Sequence, residues 1–247
     1  MPESAGDSEW IDLTHSYGSE MAHWPTAKPF ELHAWTGQTP MGQYLAANDL
    51  EFSEHCGTHV DAPCHVFPDG RGVHELRLDE LMGHGAVLDM SEQTRANRNH
   101  AISSDDILSW EARHGQIPEG AIVLFSTGLA AAWPDAAAFL GTAELGEDAV
   151  RQMTFPGLAG EAATWLVQHR RPKAVGIDVP SIDPAQSLQG PQSLAAHHAI
   201  LGADIPVFEN VANLSLLPPH GAWIVGLPMK VLGGTASPLR IIARVGN

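Results

Sequence analysis

The sequence predicts a mixed α/β (α+β) protein organised as a single domain, and three observations carry that expectation. The runs 121–125 and 174–178 are almost continuously apolar, as strands buried on both faces must be. Strand-like runs recur along the chain, whereas helical periodicity is confined to a few stretches such as 104–110 and 158–169. Finally, 247 residues with 44% hydrophobic content are enough for one well-buried core.

Taken in order, residues 1–9 are polar and read as a flexible N-terminal arm, with the domain spanning 10–247. Residues 10–14 alternate and read as a strand. The stretch 23–30 holds Pro25 and Pro29, so it is a stiff loop that presents Trp24 and Phe30. Residues 31–35 and 50–53 read as strands, the second running into a histidine-rich motif. A turn cluster at 67–72 precedes an expected short helix at 75–81 and a strand at 86–90. Acidic and capping residues open a helix at 104, which Gly115 closes. Residues 133–156 are rich in Ala and punctuated by Gly, a segment placed to close or reshape a pocket. The helix at 158–169 ends on Arg170 and Arg171, and strand 174–178 follows. Residues 193–201 read as a helix carrying His197 and His198, and 205–211, 223–227 and 239–245 as strands. Asp178 and Asp183, just past a strand, read as turn-capping residues.

Composition excludes several classes of function. A net charge of −16 leaves no basic surface for nucleic acid. No apolar run approaches the ~20 residues of a membrane span. No basic-then-apolar leader opens the sequence, so the expected location is cytoplasmic. There, the two cysteines, Cys56 and Cys64, are expected to be small side chains lining the site and not a disulfide.

The chemistry concentrates in Glu54-His55-Cys56-Gly57-Thr58-His59-Val60-Asp61-Ala62-Pro63-Cys64-His65. A fully extended chain would hold the alpha carbons of His55 and His59 about 13 Å apart. Gly57, the β-branched Thr58 and Val60, and Pro63 argue against a helix. A bend at Gly57 instead lets His55, His59 and Asp61 converge. Two imidazoles with a carboxylate suit a divalent transition metal, zinc above all, with manganese or iron also fitting.

The run His-Cys-Gly-Thr-His-Val-Asp-Ala-Pro-Cys-His resembles the His-x-Gly-Thr-His-x-Asp-x-Pro-x-His signature of the cyclase family, which includes kynurenine formamidases, isatin hydrolases and polyketide cyclases. The resemblance runs from about residue 10 to the C-terminus. It implies the swivelling β/β/α fold, a homo-oligomer (dimer or tetramer) and one or two metal ions, Zn2+ or Mn2+. It also implies that His197 and Glu209 complete the metal site. The residues agree, since a Glu inside the apolar run 205–211 demands a partner or an ion. Asp61 and Glu209 would then bridge two ions, and His65 would remain as a free base. The Trp24–Phe30 loop resembles one that lines the formamidase substrate site, although Thr26-Ala27-Lys28 departs from that pattern.

The expected activity is hydrolysis of an amide, lactam or imide C–N bond in a small aromatic substrate. A metal supplies activated water and His65 relays the proton. The alternatives are a polyketide-type cyclase on the same site and a non-catalytic metal-binding protein, the latter disfavoured by His65 beside the ligands. Trp24 and Phe30 are the expected aromatic wall of the substrate pocket.

Overall fold

The computed structural model describes residues 9–190 and 193–246. Residues 1–8 of the expected arm lie outside that range, and Glu9 already belongs to the first strand. In chain order, β1 (Glu9–Asp12) is followed by the hairpin β2 (Glu31–Gln38) and β3 (Tyr44–Glu51). The histidine motif supplies β4 (His59–Asp61), and β5 (Met82–Asp89), β6 (Ala101–Ile102) and β7 (Ile122–Ser126) come next. The remaining strands are β8 (Gly157–Leu158), β9 (Ala174–Ile177), β10 (Val207–Glu209), β11 (His220–Pro228) and β12 (Ala236–Val245). Helices are α1 (Ser91–Ala96), α2 (Ser104–His114), α3 (Ala136–Leu140), α4 (Glu147–Val150), α5 (Gly160–Arg170) and α6 (Ala195–Leu201).

The main sheet runs β1-β12-β11-β5-β7-β9-β10-β4, and β4 pairs back onto β12. Seven strands therefore close into a barrel, with β1 on the remaining edge of β12. Strands β5, β7, β9 and β10 are mutually parallel. Parallel neighbours need crossover connections, and α2, α5 and α6 lie in those crossovers.

Alternation of side chains explains why the middle strands are apolar at every position. In β7, Ile122 and Leu124 enter the cluster that fills the barrel, while Val123 and Phe125 enter the cluster beneath the helices. Strand β9 divides in the same way, with Ala174 on one side and Val175 and Ile177 on the other. Neither strand has a wet face, so both are apolar apart from Ser126 at the end of β7. The mixed α/β expectation holds. Helix α2 begins at a capping box in which Ser103 and Asp106 satisfy each other's backbone N–H, and Gly115 ends it at φ +94°.

Two local expectations change, and one open segment is resolved. The helix expected at 75–81 is replaced by a short 3-10 turn, Val73–Glu75. The Glu75 carbonyl accepts from Arg71 and the Arg77 N–H donates to the Glu80 carboxylate, so helical bonding does not propagate. The strand expected at 50–53 begins earlier, at Tyr44, as half of a hairpin. The segment 133–156 folds into α3 and α4 and is tied to the aromatic loop, since Gly146 N–H donates to the Pro25 carbonyl. No helix among the described residues is long and apolar enough to cross a membrane.

Candidate metal centre and active site

Strand β4 places His59 and Asp61 on one face, because residues two apart in a strand share a side. Val60 between them points into the barrel core. Glu209 of β10 pairs directly opposite His59, which brings its carboxylate to the same face. The site is thus written into strand register. His55 arrives from the preceding loop, where Gly57 bends the chain at φ +58°. A Cβ at Gly57 would stand 2.7 Å from the Tyr17 ring, so both the conformation and the space call for glycine. As expected from the bend, the His55 and His59 ring centres lie 5.4 Å apart.

Helix α6 contributes His197 from the other side. Its Nε2 is 3.3 Å from Asp61 Oδ2 and 3.3 Å from Glu209 Oε1. His59 Nε2 lies 3.3 Å from Asp61 Oδ1 and 3.5 Å from Glu209 Oε2. His55 Nδ1 lies 2.8 Å from Asp61 Oδ1. The five residues expected to hold metal therefore meet around one point, and all but His55 are buried. His198, one residue along, is exposed and edges onto the Phe67 ring instead.

Each histidine is oriented by an oxygen on its far side. His59 Nδ1 donates to the Gly57 carbonyl at 2.9 Å. His197 Nδ1 donates to Asp183 at 2.6 Å. His55 Nε2 donates to the Thr235 hydroxyl at 3.0 Å, and that hydroxyl donates onward to Glu54. Every far nitrogen donates to its oxygen, so a cation at the centre would meet the lone pairs of the near nitrogens. Asp183 also accepts the N–H groups of Ala196 and His197, so it caps α6 and aims its histidine together. The sequence reading gave Asp183 only its capping role; its place two residues past Ser181 at a strand end was the available signal. Asp178 is a turn residue as expected, accepting from Thr127 and Gly128.

Electrostatically the cluster is short of positive charge. Burial works against a charged His59, but the Asp61 and Glu209 carboxylates override it and raise the imidazole to about 9. Asp61 is held well below the usual carboxylate range, against burial, by the facing His55 and His59. His197 is raised as well, against burial, by Asp183, Asp61 and Glu209. Two atoms at the centre, His59 Nε2 and Asp61 Oδ1, are buried without a hydrogen-bond partner. Orphaned buried polar atoms are costly. A divalent cation fits both the donor set and the orphaned atoms. Two triads each bring one ligand atom per residue within 4.8 Å of one another, His55–His59–Asp61 and Asp61–His65–His197.

His65 faces the same space from a 3-10 turn, its ring centre 4.2 Å from that of His55 and 5.6 Å from that of His197. Burial lowers its pKa to about 4; Asp61 opposes that shift, while His55 and His197 reinforce it. It is a neutral imidazole at ordinary pH.

The centre opens into a cavity of about 350 Å³ walled by Trp24, Ala27, Ser53, Pro180, Leu188 and Leu194. Trp24 is placed where the sequence reading expected it. Phe30 is not: it is buried 7% exposed against Met21 and Cys56 and stacks on Phe52 at 5.7 Å. The expected aromatic wall is corrected to Trp24 alone, because Phe30 has an apolar cluster of its own to fill. The cysteines also differ from expectation, since neither lines the cavity. Cys56 is a free, buried thiol in the Phe30 cluster, raised to about 11 by burial, and Cys64 is a free, half-buried thiol facing the Gly234 carbonyl.

A barrel edge, a capped helix and a His-Asp-Glu cluster at one end of a cavity define the class. The chain belongs to the Putative cyclase family, which matches residues 11–184. Among its relatives, a kynurenine formamidase of Salinibacter ruber is 29% identical over 95% of this chain and 96% of its own length. An isatin hydrolase of Roseibium aggregatum is 31% identical over 87% of this chain and 81% of its own. In three dimensions, isatin hydrolase A from Ralstonia solanacearum superimposes with a TM-score of 0.86 at 32% identity, covering 96% of this chain and 92% of that one. An isatin hydrolase bound to the product analogue thioisatinate gives 0.87 at 27% identity, over 97% and 93%.

Proposed function

We propose that this protein is a metal-dependent hydrolase that opens the C–N bond of a small aromatic amide, lactam or imide. The observation that supports it most is the meeting of His55, His59, Asp61, His197 and Glu209 around two orphaned atoms at the floor of the Trp24 cavity. A bound divalent cation, Zn2+ or Mn2+, supplies Lewis acidity and lowers the pKa of water toward neutrality. The residues do the rest. His55, His59 and Asp61 would hold one cation, and Asp61, His197 and Glu209 would hold a second. His65, neutral and facing the cavity, accepts the proton of the attacking water and returns it to the leaving nitrogen. Trp24 lies against the aromatic ring and positions the carbonyl over the floor.

Within that class the cavity favours a neutral, fused cyclic amide. None of its described lining residues is Lys or Arg, and two are carboxylates. Away from the cation positions, the described wall offers no Lys or Arg to receive a substrate carboxylate. At about 350 Å³ the cavity is near the lower end of ligand sites, so a single or fused ring fits and a peptide does not. The test is turnover by the metal-loaded protein of isatin-type lactams, N-formyl arylamines with charged tails, and aliphatic amides. Faster hydrolysis of the neutral fused ring is expected, with loss on chelation and recovery on adding Zn2+ or Mn2+. Turnover without metal, or no hydrolysis of any C–N bond, overturns the reading; ring closure of a polyketide chain alone would make the protein a cyclase.

A further inference from the structure

Asn210 follows Glu209 directly, at the point where the β4–β10 ladder stops. Its backbone turns into the left-handed region at φ +53°, which Asn tolerates better than most residues that carry a side chain. The residue is buried. Its Nδ2 donates to the Gly57 carbonyl at 2.8 Å, and that carbonyl also accepts from His59 Nδ1 at 2.9 Å. In return, the Thr58 hydroxyl donates to the Asn210 carbonyl at 2.7 Å. The backbone here is tied to the neighbouring strand end. Asn210 N–H donates to the Val179 carbonyl and Val211 N–H to that of Ile177, each at 3.0 Å. Asn210 thus clasps the Gly57–Thr58 bend to the end of β10. The clasp carries a cost. Asn210 Oδ1 is buried without a hydrogen-bond partner among the described residues, a penalty that an apolar side chain of similar size would not incur. Packing alone therefore does not account for an amide here; its donor does.

We propose that Asn210 is a positioning residue for the metal centre: it holds the Gly57 carbonyl where that oxygen fixes both the place of the His59 ring and the nitrogen the ring turns inward. The proposal rests on the metal-dependent reading of the site. Gly57 stands at φ +58° in the middle of a bend, and a glycine has the freedom to swing its carbonyl away. The Asn210 amide removes that freedom. Without it His59 Nδ1 loses a fixed acceptor, and the ring is free to exchange the nitrogen it presents to a cation. One dipeptide then serves both sides of the centre. Glu209 sets its carboxylate against His59 and His197, and Asn210 sets the histidine that pairs opposite Glu209 in the ladder.

Asn213 supplies the control. It has the same left-handed backbone, at φ +56°, and its Nδ2 likewise donates to a carbonyl, that of Asp12 at 2.8 Å, but it is exposed and does not line the cavity. Two substitutions remove the Asn210 donor while tolerating its backbone: Asn210→Asp, nearly isosteric, and Asn210→Gly, free of strain at positive φ. The probe is Co2+, which takes imidazole and carboxylate donors and absorbs visible light. Its Kd is read by competition with a chelator. Wild type and Asn213→Asp should bind Co2+ alike and with the same visible spectrum. Both Asn210 variants should bind it about 10–100-fold more weakly and with an altered spectrum, while the circular dichroism of the metal-free proteins stays the same. Wild-type affinity and spectrum in either Asn210 variant overturn the proposal and leave the metal-dependent reading standing. An equal weakening in Asn213→Asp overturns it too, since the loss would then be a general effect of removing such an amide. Wild-type protein that binds no Co2+ overturns the proposal and the metal-dependent reading together.

Discussion

The floor and the wall of the cavity are built by different means. The floor residues His59, Asp61 and Glu209 stand on β4 and β10, paired to each other and, through β4, to β12. Their positions follow from strand register, and a slip of one residue would turn all of them away. The wall residues Trp24, Leu188 and Leu194 stand on a loop, a 3-10 turn and a helix cap, held by a few contacts such as Gly146 N–H to the Pro25 carbonyl. A rigid floor keeps the chemistry while a loop-built wall is free to set which ring is accepted. His65 and the Asp183–His197 pair lie between these extremes, on short turns and a short helix.

Substitutions can break this division, and their effects should fall in order from floor to wall. Asp61→Ala should have the largest effect, removing the carboxylate shared by both triads. Elemental analysis should show metal lost, with activity at background; full metal occupancy in this variant would refute the floor. His65→Ala should lower kcat by about 10²–10⁴ while metal content is retained. Parallel loss of metal would make His65 a ligand, as its place in the second triad permits. Asp183→Asn should weaken metal binding by about 10–100-fold, measured by competition with a chelator, because it lets the His197 tautomer invert. An unchanged affinity would leave Asp183 as a helix cap alone. Trp24→Ala should raise KM about tenfold for an aromatic substrate with kcat little changed, since the contact is shared by ground and transition states. Phe30→Leu marks the boundary of the wall: KM should not move, while denaturant midpoints should record about 1 kcal/mol of lost packing. A KM change there would mean that Phe30 reaches substrate after all.

What the sequence by itself determined is what depends on near neighbours along the chain. The bend at Gly57 and the convergence of His55, His59 and Asp61 follow from spacing and from the conformations that glycine, β-branched residues and proline allow. The double-sided burial of β7 and β9 could be read because a strand with no wet face is apolar almost throughout. Family resemblance, and not spacing, pointed to His197 and Glu209, which stand 136 and 148 positions from Asp61. Only the tertiary structure decided the rest. It gave Trp24 to the cavity and Phe30 to the core, although both are aromatic and lie on one proline-stiffened loop. It coupled Asp183 to His197 across a cap whose two ends are thirteen and fourteen positions apart. It also left β2 and β3 standing clear of the barrel, where their local pattern read as ordinary strands. The physical reason is common to all three. Local conformation is set by sterics within a few residues, but the surface a side chain meets is set by elements far away in sequence, whose packing no local pattern encodes.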